Sequence, residues 1–366
     1  MITIGSEVRR MSAVWGDKVK ITVFGESHGN GIGVVIDGLE PGFEIDFDKV
    51  LKQMARRAPG NDKTATPRKE PDLPKILSGT LGNVTTGAPL CAIIENTNVK
   101  SGDYGNIMSV PRPGHSDYTA WVKFSGFNDV RGGGNFSARL TAPIVFAGAV
   151  IRQILEKRGI NIAAHIASIY DVEDKRFDPV APCEELMNRL NTSAFPLIDT
   201  EKEQLMREAV ENARLNCDSV GGTVECCITG LPCGAGSPMF AGVEGVISSL
   251  VFSIPAVKGI EFGAGFDISR MRGSQSNDPF AIKDGKVVTE TNNCGGILGG
   301  ITNGMPLIFR TAMKPTPSIS IEQKSVDLSA MTPAPLVVKG RHDPCIVPRA
   351  VPVIEAAAAI AVINLI

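Results

Sequence analysis

The chain has 366 residues, enough to bury one large core or two ordinary ones. Its 37 Lys and Arg nearly balance 39 Asp and Glu, which directs it neither to nucleic acid nor to an anionic membrane, so any anion site has to be a local cluster. Eight cysteines without a C-x-x-C pair fit buried, reduced thiols better than a disulfide frame or a zinc site, and no other metal-ligand spacing occurs.

In chain order, MITIGSEVRRMSAVWG lacks an apolar signal core, and Met11 could serve as a second start. Lys20–Phe24 and Gly33–Asp37 read as strands. Asp46–Ala58 reads as a helix with Val50, Leu51 and Met54 on one face, stopped by Pro59-Gly60. Ala138–Lys157 is a helix apolar on most faces, hence central and buried. Thr200–Asn216 opens on Thr200-x-x-Glu203, a capping box. Gly222–Thr229 and Leu307–Met313 are further strands, and Pro352–Ile366 is an alanine-rich closing helix. Glu355 and scattered glycines are expected to keep every apolar run below membrane-spanning length. These features together point to a cytoplasmic protein. A faint internal echo links GVVIDGLEPG (Gly33–Gly42) to VECCITGLPCG (Val224–Gly234) and hints at two similar halves. Long glycine-rich polar segments at 59–74, 97–136, 262–301 and 316–348 carry many Arg, His and Asp, as functional loops do.

VFGESHGNGIGVVIDG (Val23–Gly38) contains G-x-S-x-G around Ser27, the pattern of a hydrolase nucleophile elbow. That elbow needs a helix directly after the serine, whereas here more glycines and a β-branched run follow. Gly29, Gly31 and Gly33 do not complete G-x-G-x-x-G, and no G-x-x-x-x-G-K-[ST] occurs. The segment reads as two strands joined by a glycine turn with Ser27 and His28 at its rim.

Of four histidines, His28, His115 and His342 sit in loops, in SHG, PGHSD and RHDP, settings that suit acid–base work. His165 lies on an apolar run and reads as a structural residue. Cations follow the same loops: Arg56, Arg57, Lys63, Arg68, Arg112, Arg131, Arg139, Arg341 and Arg349. Arg56, Arg68, Arg131 and Arg349 are read as solvated surface charge. The others suit a substrate with several anionic groups gripped by guanidinium forks, and Ser137-Ala138-Arg139 at a helix start adds amide donors.

GESHGNGIGVVIDGLEPG, RRAPGNDK, ENTN, RPGHSDYT, GGGNFSARLTAP, PAVKGIEFGAGF, NNCGGILGGITNG, MKPTPSI and KGRHDPC…RAVPVIEA follow one another in this order, and the series resembles the chorismate synthase family. The likeness runs from about Trp15 to the C-terminus, so residues 1–14 read as an extension and 15–366 as one domain. It implies an α+β fold, a β-α-β sandwich with two pseudo-symmetric halves, and a homotetramer, with which the apolar C-terminal helix agrees. It implies a lyase that converts 5-enolpyruvylshikimate 3-phosphate to chorismate and phosphate by 1,4-elimination, the last shared step of the shikimate pathway, with reduced FMN and no net redox change.

Carried over by motif, His28 would protonate the departing phosphate, His115 would stabilise the reduced flavin, and Asp343 would lie by the flavin and help remove the ring proton. Ser27, Arg57, Lys63, Arg112, Ser137, Arg139 and Arg341 would hold the substrate. Asn135, Phe136, Ser137, Pro255, Ala256, Gly299, Lys314, Pro315, Thr316, Pro317, Ser318 and Arg341 would contact the flavin. Departures occur at Asn135 and Phe136, where many relatives have arginine and serine, at Lys63, commonly arginine, and at Pro317, commonly serine. None touches His28, His115 or Asp343. The sequence leaves open whether NADPH reduces the flavin on the protein itself. Two other classes stay on the table: a flavin reductase or electron-transfer flavoprotein, which needs no arginine clamp, and an inactive relative.

Overall fold

Strand-forming runs punctuated by glycine give two antiparallel sheets of five strands each. The computed structural model describes residues 12–59, 72–97, 109–338 and 343–366. The extension's first eleven residues, Lys63, Arg68, Arg341 and His342 lie outside them. The first sheet runs, in spatial order, Val14–Trp15, Lys20–Gly25, Gly31–Asp37, Leu90–Glu95 and Pro74–Ser78. The second runs Val257–Phe262, Leu307–Met313, Gly222–Thr229, Asn161–Ile169 and Val172–Glu173. The expected α+β sandwich is therefore present, each sheet covering one side of a helical layer.

The internal echo falls on matching places. Gly31–Asp37 and Gly222–Thr229 are the central strands of their sheets. Each ends at a glycine in the left-handed region, Gly38 (φ 90°) and Gly230 (φ 79°). A side chain there would stand 2.3 Å from the Lys18 carbonyl oxygen and 2.0 Å from that of Gly159, respectively. Leu39 and Leu231 follow, both buried in the core. The repeated Gly-Leu thus has one physical role in both halves: a strand end pressed against a neighbouring backbone.

The helices are α1 (Phe47–Arg57), α2 (Asp117–Lys123), α3 (Thr141–Lys157), α4 (Glu184–Leu190), α5 (Glu203–Leu215), α6 (Val243–Val251), the single turn α7 (Gly273–Ser276) and α8 (Val347–Leu365). Asp46 caps α1 by accepting from the Lys49 amide at 3.1 Å, and a 3-10 turn at Ala138–Leu140 leads into α3. Helices α3 and α8 pack on each other between the sheets, where Gly148 meets Ala356 so closely that an added Cβ would lie 2.3 Å from the alanine Cβ.

Several sequence expectations are corrected. The Thr200 capping box does not form. Asp199 accepts from the Glu201 amide and caps a 3-10 turn that precedes α5, an aspartate taking the place offered to the threonine. Helix α8 starts at Val347, not Pro352, because Pro348 already occupies the first turn, where a missing amide costs nothing, and the helix continues through Pro352. Two helical runs, Ala138–Lys157 and Val347–Leu365, are long and apolar enough to cross a membrane, contrary to expectation, but 94% and 89% of their apolar windows are buried in this chain's own core. The apolar character of α8 is thus spent largely inside the chain. All eight cysteines are free thiols, yet only Cys226, Cys227 and Cys345 are buried. Arg56 is not surface charge. It forms a two-pronged pair with buried Glu355 of α8, at 2.5 and 3.1 Å, and Glu355 also accepts from Arg152 and from the Ala164 amide.

His165 is the structural residue expected from its apolar run. Fully buried, it places Nδ1 2.9 Å from Asp174 and Nε2 3.1 Å from Glu225, with the Phe177 ring edge-on at 5.0 Å. Glu225 in turn pairs with Arg310 at 3.1 Å. Burial by itself would lower the His165 pKa, but the hydrogen bonds to the two carboxylates outweigh it and raise it above the ordinary 6.5.

Two outcomes follow from this packing. Gly148→Ala should lower stability by about 1–3 kcal/mol through overpacking against Ala356, measured as a shift in the urea midpoint at constant slope. Because the folded His165 binds its proton more tightly than the unfolded one, its contribution is complete below pH 6.5 and is lost as pH rises through the folded value. The stability gap between the wild type and His165→Gln should therefore be widest in mild acid and shrink towards alkaline pH. A gap that widened with pH would contradict a protonated imidazole between the two carboxylates.

Candidate active site

The turn between the first two long strands of the N-terminal sheet carries Ser27 and His28, both buried, at 1% and 7% exposure. The chain then enters the strand Gly31–Asp37 and not a helix, so the geometry of a nucleophile elbow is absent. Asn96 of the ENTN run ties the turn down, donating from Nδ2 to the carbonyls of Glu26 at 3.0 Å and Gly29 at 2.9 Å. The Ser27 amide donates to the Gly134 carbonyl at 3.2 Å, bringing in the triple-glycine segment.

Gly132, Gly133 and Gly134 are all left-handed, at φ 59°, 84° and 53°. A side chain on Gly132 would stand 2.2 Å from the His28 ring and 2.8 Å from Ser27 Oγ. One on Gly133 would stand 3.3 Å from Cε1 and Nε2 of His115. The glycine run is therefore a bare spacer with one loop histidine against each of two consecutive residues, which only residues without Cβ can provide.

His115 precedes α2, in the run that holds Arg112 and Asp117. Its Nδ1 lies 2.6 Å from Asp117 Oδ1 and 3.2 Å from an Arg112 nitrogen. Because the carboxylate can only accept, the short contact to Asp117 is a hydrogen bond with the proton on Nδ1, which leaves Nε2 towards the glycine turn. Asp117 also accepts from Arg112 Nε at 2.7 Å, and Arg112 reaches Ser318 Oγ at 3.1 Å. Burial would raise the Asp117 carboxyl, but the hydrogen bonds from Arg112 and His115 hold it well below the usual carboxylate range. Ser318 belongs to the Lys314–Ser318 run, where Lys314 donates through Nζ to the Gly114 carbonyl and through its amide to Ala256 at 2.9 Å.

A second cationic group forms where three helix ends meet. Arg57, at the end of α1, donates to Thr141 Oγ1 at 3.1 Å and to the Ala138 carbonyl at 2.9 Å, both at the start of α3. Arg349, in the first turn of α8, donates to the Arg57 carbonyl at 3.0 Å and pairs with Asp343. Arg139 donates to Asn96 Oδ1 at 3.1 Å, and its amide is capped by Ser137 Oγ at 3.3 Å. Buried Asp72 lies between Arg57 and Arg139 and is paired with both. Burial lowers the Arg57 pKa to about 10, with Asp72 opposing and Arg349 and Arg139 reinforcing the fall.

The structure thus brings Ser27, His28, His115, Arg112, Ser137 and Arg139 around the glycine turn, with Asn135 and Phe136 in the same segment, where the Phe136 ring packs 6.4 Å from that of Phe124. Pro255 lines a small cleft with Arg57, Ala138, Thr141 and Arg349. Gly299 stands apart, exposed on the hairpin Ile297–Leu298/Ile301–Thr302, whose backbone neighbours Gly242. Wider clefts beside Arg310 on the second sheet and beside Glu44–Lys49 hold neither histidine. Sequence reasoning missed Asp72, Asp117, Asn96 and the inward role of Arg349. Asp117 and Asn96 lay inside quoted motifs. Asp72, in KEPD, carries no signal distinguishing it from surface acid. Arg131, paired with Asp129 at 2.7 Å on the surface, is the solvated charge expected of it.

The chorismate synthase family model matches residues 19–366. The chorismate synthase of Thermococcus kodakarensis is 48% identical over 344 residues, 94% of either chain. That of Dehalococcoides mccartyi is 45% identical over 355 residues, covering 97% of this chain and 96% of that protein. A crystal structure of chorismate synthase superposes with a TM-score of 0.74 at 26% identity, covering 96% of this chain and 92% of that one. Sequence and backbone agree over almost the whole length, and the chain belongs to the chorismate synthase family.

Proposed function

We propose that the glycine turn and its two histidines carry out the family reaction, with His28 as the acid and His115 as the flavin-facing residue. The activity is that of a carbon–oxygen lyase of aromatic biosynthesis, converting 5-enolpyruvylshikimate 3-phosphate to chorismate and phosphate. A reductase or electron-transfer role is not favoured. The observation that carries the assignment is the spacing of His28 and His115 on consecutive glycines, with Asn96 tying down the turn that carries His28 and Asp117 paired to His115.

In the elimination a ring C–H bond and the C–O bond to phosphate break and a C=C bond forms. His28, held against Gly132 in a buried turn, gives a proton to the departing phosphate oxygen. Asp343, oriented by Arg349, would lie near the flavin and help remove the ring proton. Arg57, Arg112 and Arg139, with Lys63 and Arg341, grip the carboxylates and the phosphate, and Ser27 and Ser137 add hydrogen bonds.

The residues present suit a flavin. Thr316 Oγ1 is buried without a hydrogen-bond partner among the described residues, as is Ser27 Oγ. Burial, reinforced by Lys258, depresses the Lys314 pKa, so an anion there would relieve a desolvated cation. Asn135, Phe136, Ser137, Pro255, Ala256, Arg341 and the Lys314–Ser318 run would hold FMN, with Phe136 supplying apolar contact where a hydroxyl is common in relatives, while Gly299, which stands apart, lies outside this set. Reduced FMN, when bound, supplies the electron density the elimination needs without net oxidation, and NADPH is the candidate reductant. His115, its Nδ1–H fixed by Asp117, presents Nε2 to that space.

The protein is further proposed to act in the cytoplasm as a homotetramer, with residues 15–366 as one domain. Free thiols at all eight cysteines suit a reducing compartment. One core cluster includes residues from Val19 to Ile363. Large apolar side chains stand exposed at Phe240 (94%), Phe127 (93%), Met239 (86%) and Phe266 (83%), surface that assembly could cover.

Anaerobic mixing of the protein with reduced FMN and 5-enolpyruvylshikimate 3-phosphate should yield chorismate and phosphate, and absence of chorismate with flavin bound would refute the lyase assignment. His28→Ala should slow turnover about 10²–10⁴-fold while leaving oxidised FMN affinity nearly intact. His115→Ala should change the reduced-flavin spectrum and the pH at which it ionises. Asp117→Asn, which removes the carboxylate partner of both His115 Nδ1 and Arg112, should reproduce part of that spectral change and raise substrate KM as well. Reversed phenotypes for the two histidines would exchange their roles.

A further inference from the structure

We propose that Asp72 is a positioning residue of the reaction: its one carboxylate holds the Arg57 and Arg139 guanidiniums side by side and, through Arg139 and Asn96, braces the turn that carries His28. The inference rests on the reading of Arg57 and Arg139 as substrate-gripping groups.

The geometry is specific. Asp72 is 1% exposed and spends one oxygen on each arginine, Oδ2 on Arg57 at 2.6 Å and Oδ1 on Arg139. Two guanidiniums brought together in a dry cleft repel each other, and Arg349, hydrogen-bonded to the Arg57 carbonyl, adds a third positive charge. A fork-shaped carboxylate between the first two converts that repulsion into a fixed spacing. Its backbone is itself constrained, with φ 47°, a left-handed value that aspartate tolerates better than most side chains. The other end of Arg139 continues the chain of contacts. Nε donates to Asn96 Oδ1, and the Asn96 amide group donates to the carbonyls of Glu26 and Gly29, on either side of Ser27 and His28. Asp72 therefore lies at one end of a hydrogen-bonded line that ends at the acid. Burial opposes ionisation of Asp72, but the two arginines outweigh it and keep its pKa depressed, so it serves as a carboxylate throughout.

The test compares wild type, Asp72→Asn, Asp72→Glu, Arg57→Gln and Arg139→Gln as full-length holoenzymes with reduced FMN, reading KM and kcat for 5-enolpyruvylshikimate 3-phosphate and FMN affinity separately. Asp72→Asn should raise KM at least tenfold while FMN affinity stays within about twofold, and Asp72→Glu, which keeps the charge, should recover much of the loss. KM within threefold of wild type in Asp72→Asn, a Glu variant as impaired as Asn, or FMN affinity falling in step with KM would each overturn the proposal. Unchanged KM in Arg57→Gln and Arg139→Gln would refute instead the clamp on which it rests. Should Asp72→Asn not accumulate as folded protein, the double variant Asp72→Asn/Arg57→Gln removes one charge of each sign. Its KM should exceed that of Arg57→Gln at least threefold because Arg139 has lost its anchor, and an equal KM would overturn the proposal.

Discussion

The contact between Gly148 of α3 and Ala356 of α8 sets the geometry on which the molecule depends. With no side chain on one helix and a methyl on the other, the two backbones come within the distance that lets both sheets close over one helical layer. Any larger pair would separate the helices and open voids on both sides, which a close-packed interior does not tolerate. The same crossing determines where helix ends emerge. The end of α1 and the beginnings of α3 and α8 meet at one edge of the layer, delivering Arg57, Arg139 and Arg349 to neighbouring positions although they are far apart in the chain. The core and the candidate site are thus two ends of one packing solution.

Placing that many cations where water is scarce has a physical cost, and the chain meets it with dedicated buried carboxylates. Glu355 serves Arg56 and Arg152, Asp72 serves Arg57 and Arg139, Asp117 serves Arg112 and His115, and Glu225 serves His165 and Arg310. A buried charge that loses its partner costs several kcal/mol, so each carboxylate is committed. The distribution separates roles. Glu355 binds the helices to the second sheet through the Ala164 amide, and Glu225 joins strands within that sheet. Asp72 and Asp117 lie beside the histidine turn, on the cations that surround the two loop histidines. Burial and pairing look alike in both sets, which differ in their position relative to the glycine turn.

The legible part of the site was the part written as local chemistry. GESHG and GGGNFSAR announce tight turns because only glycine allows them, and His28 and His115 were recognisable from their loop settings. That the two turns interlock, with Gly132 against His28, involves residues about a hundred positions apart. Nothing local in either segment encodes that contact. Asp72 and Arg56 show the converse failure. Each looks like ordinary surface charge in sequence, and each becomes a buried partner only because an opposite charge from a distant element arrives beside it.

Alone, the sequence determined four of the strands, the two long apolar helices and the family, since propensity, periodicity and glycine punctuation act within a few residues of where they are written. Even its faint echo was physical, marking the left-handed glycine that ends the central strand of each sheet. Tertiary structure decided the helix starts at Glu203 and Val347, the confinement of α8 to the chain's own core, and the pairing of every buried cation. Those outcomes depend on which groups lose water together, and that is settled only when elements distant in sequence pack.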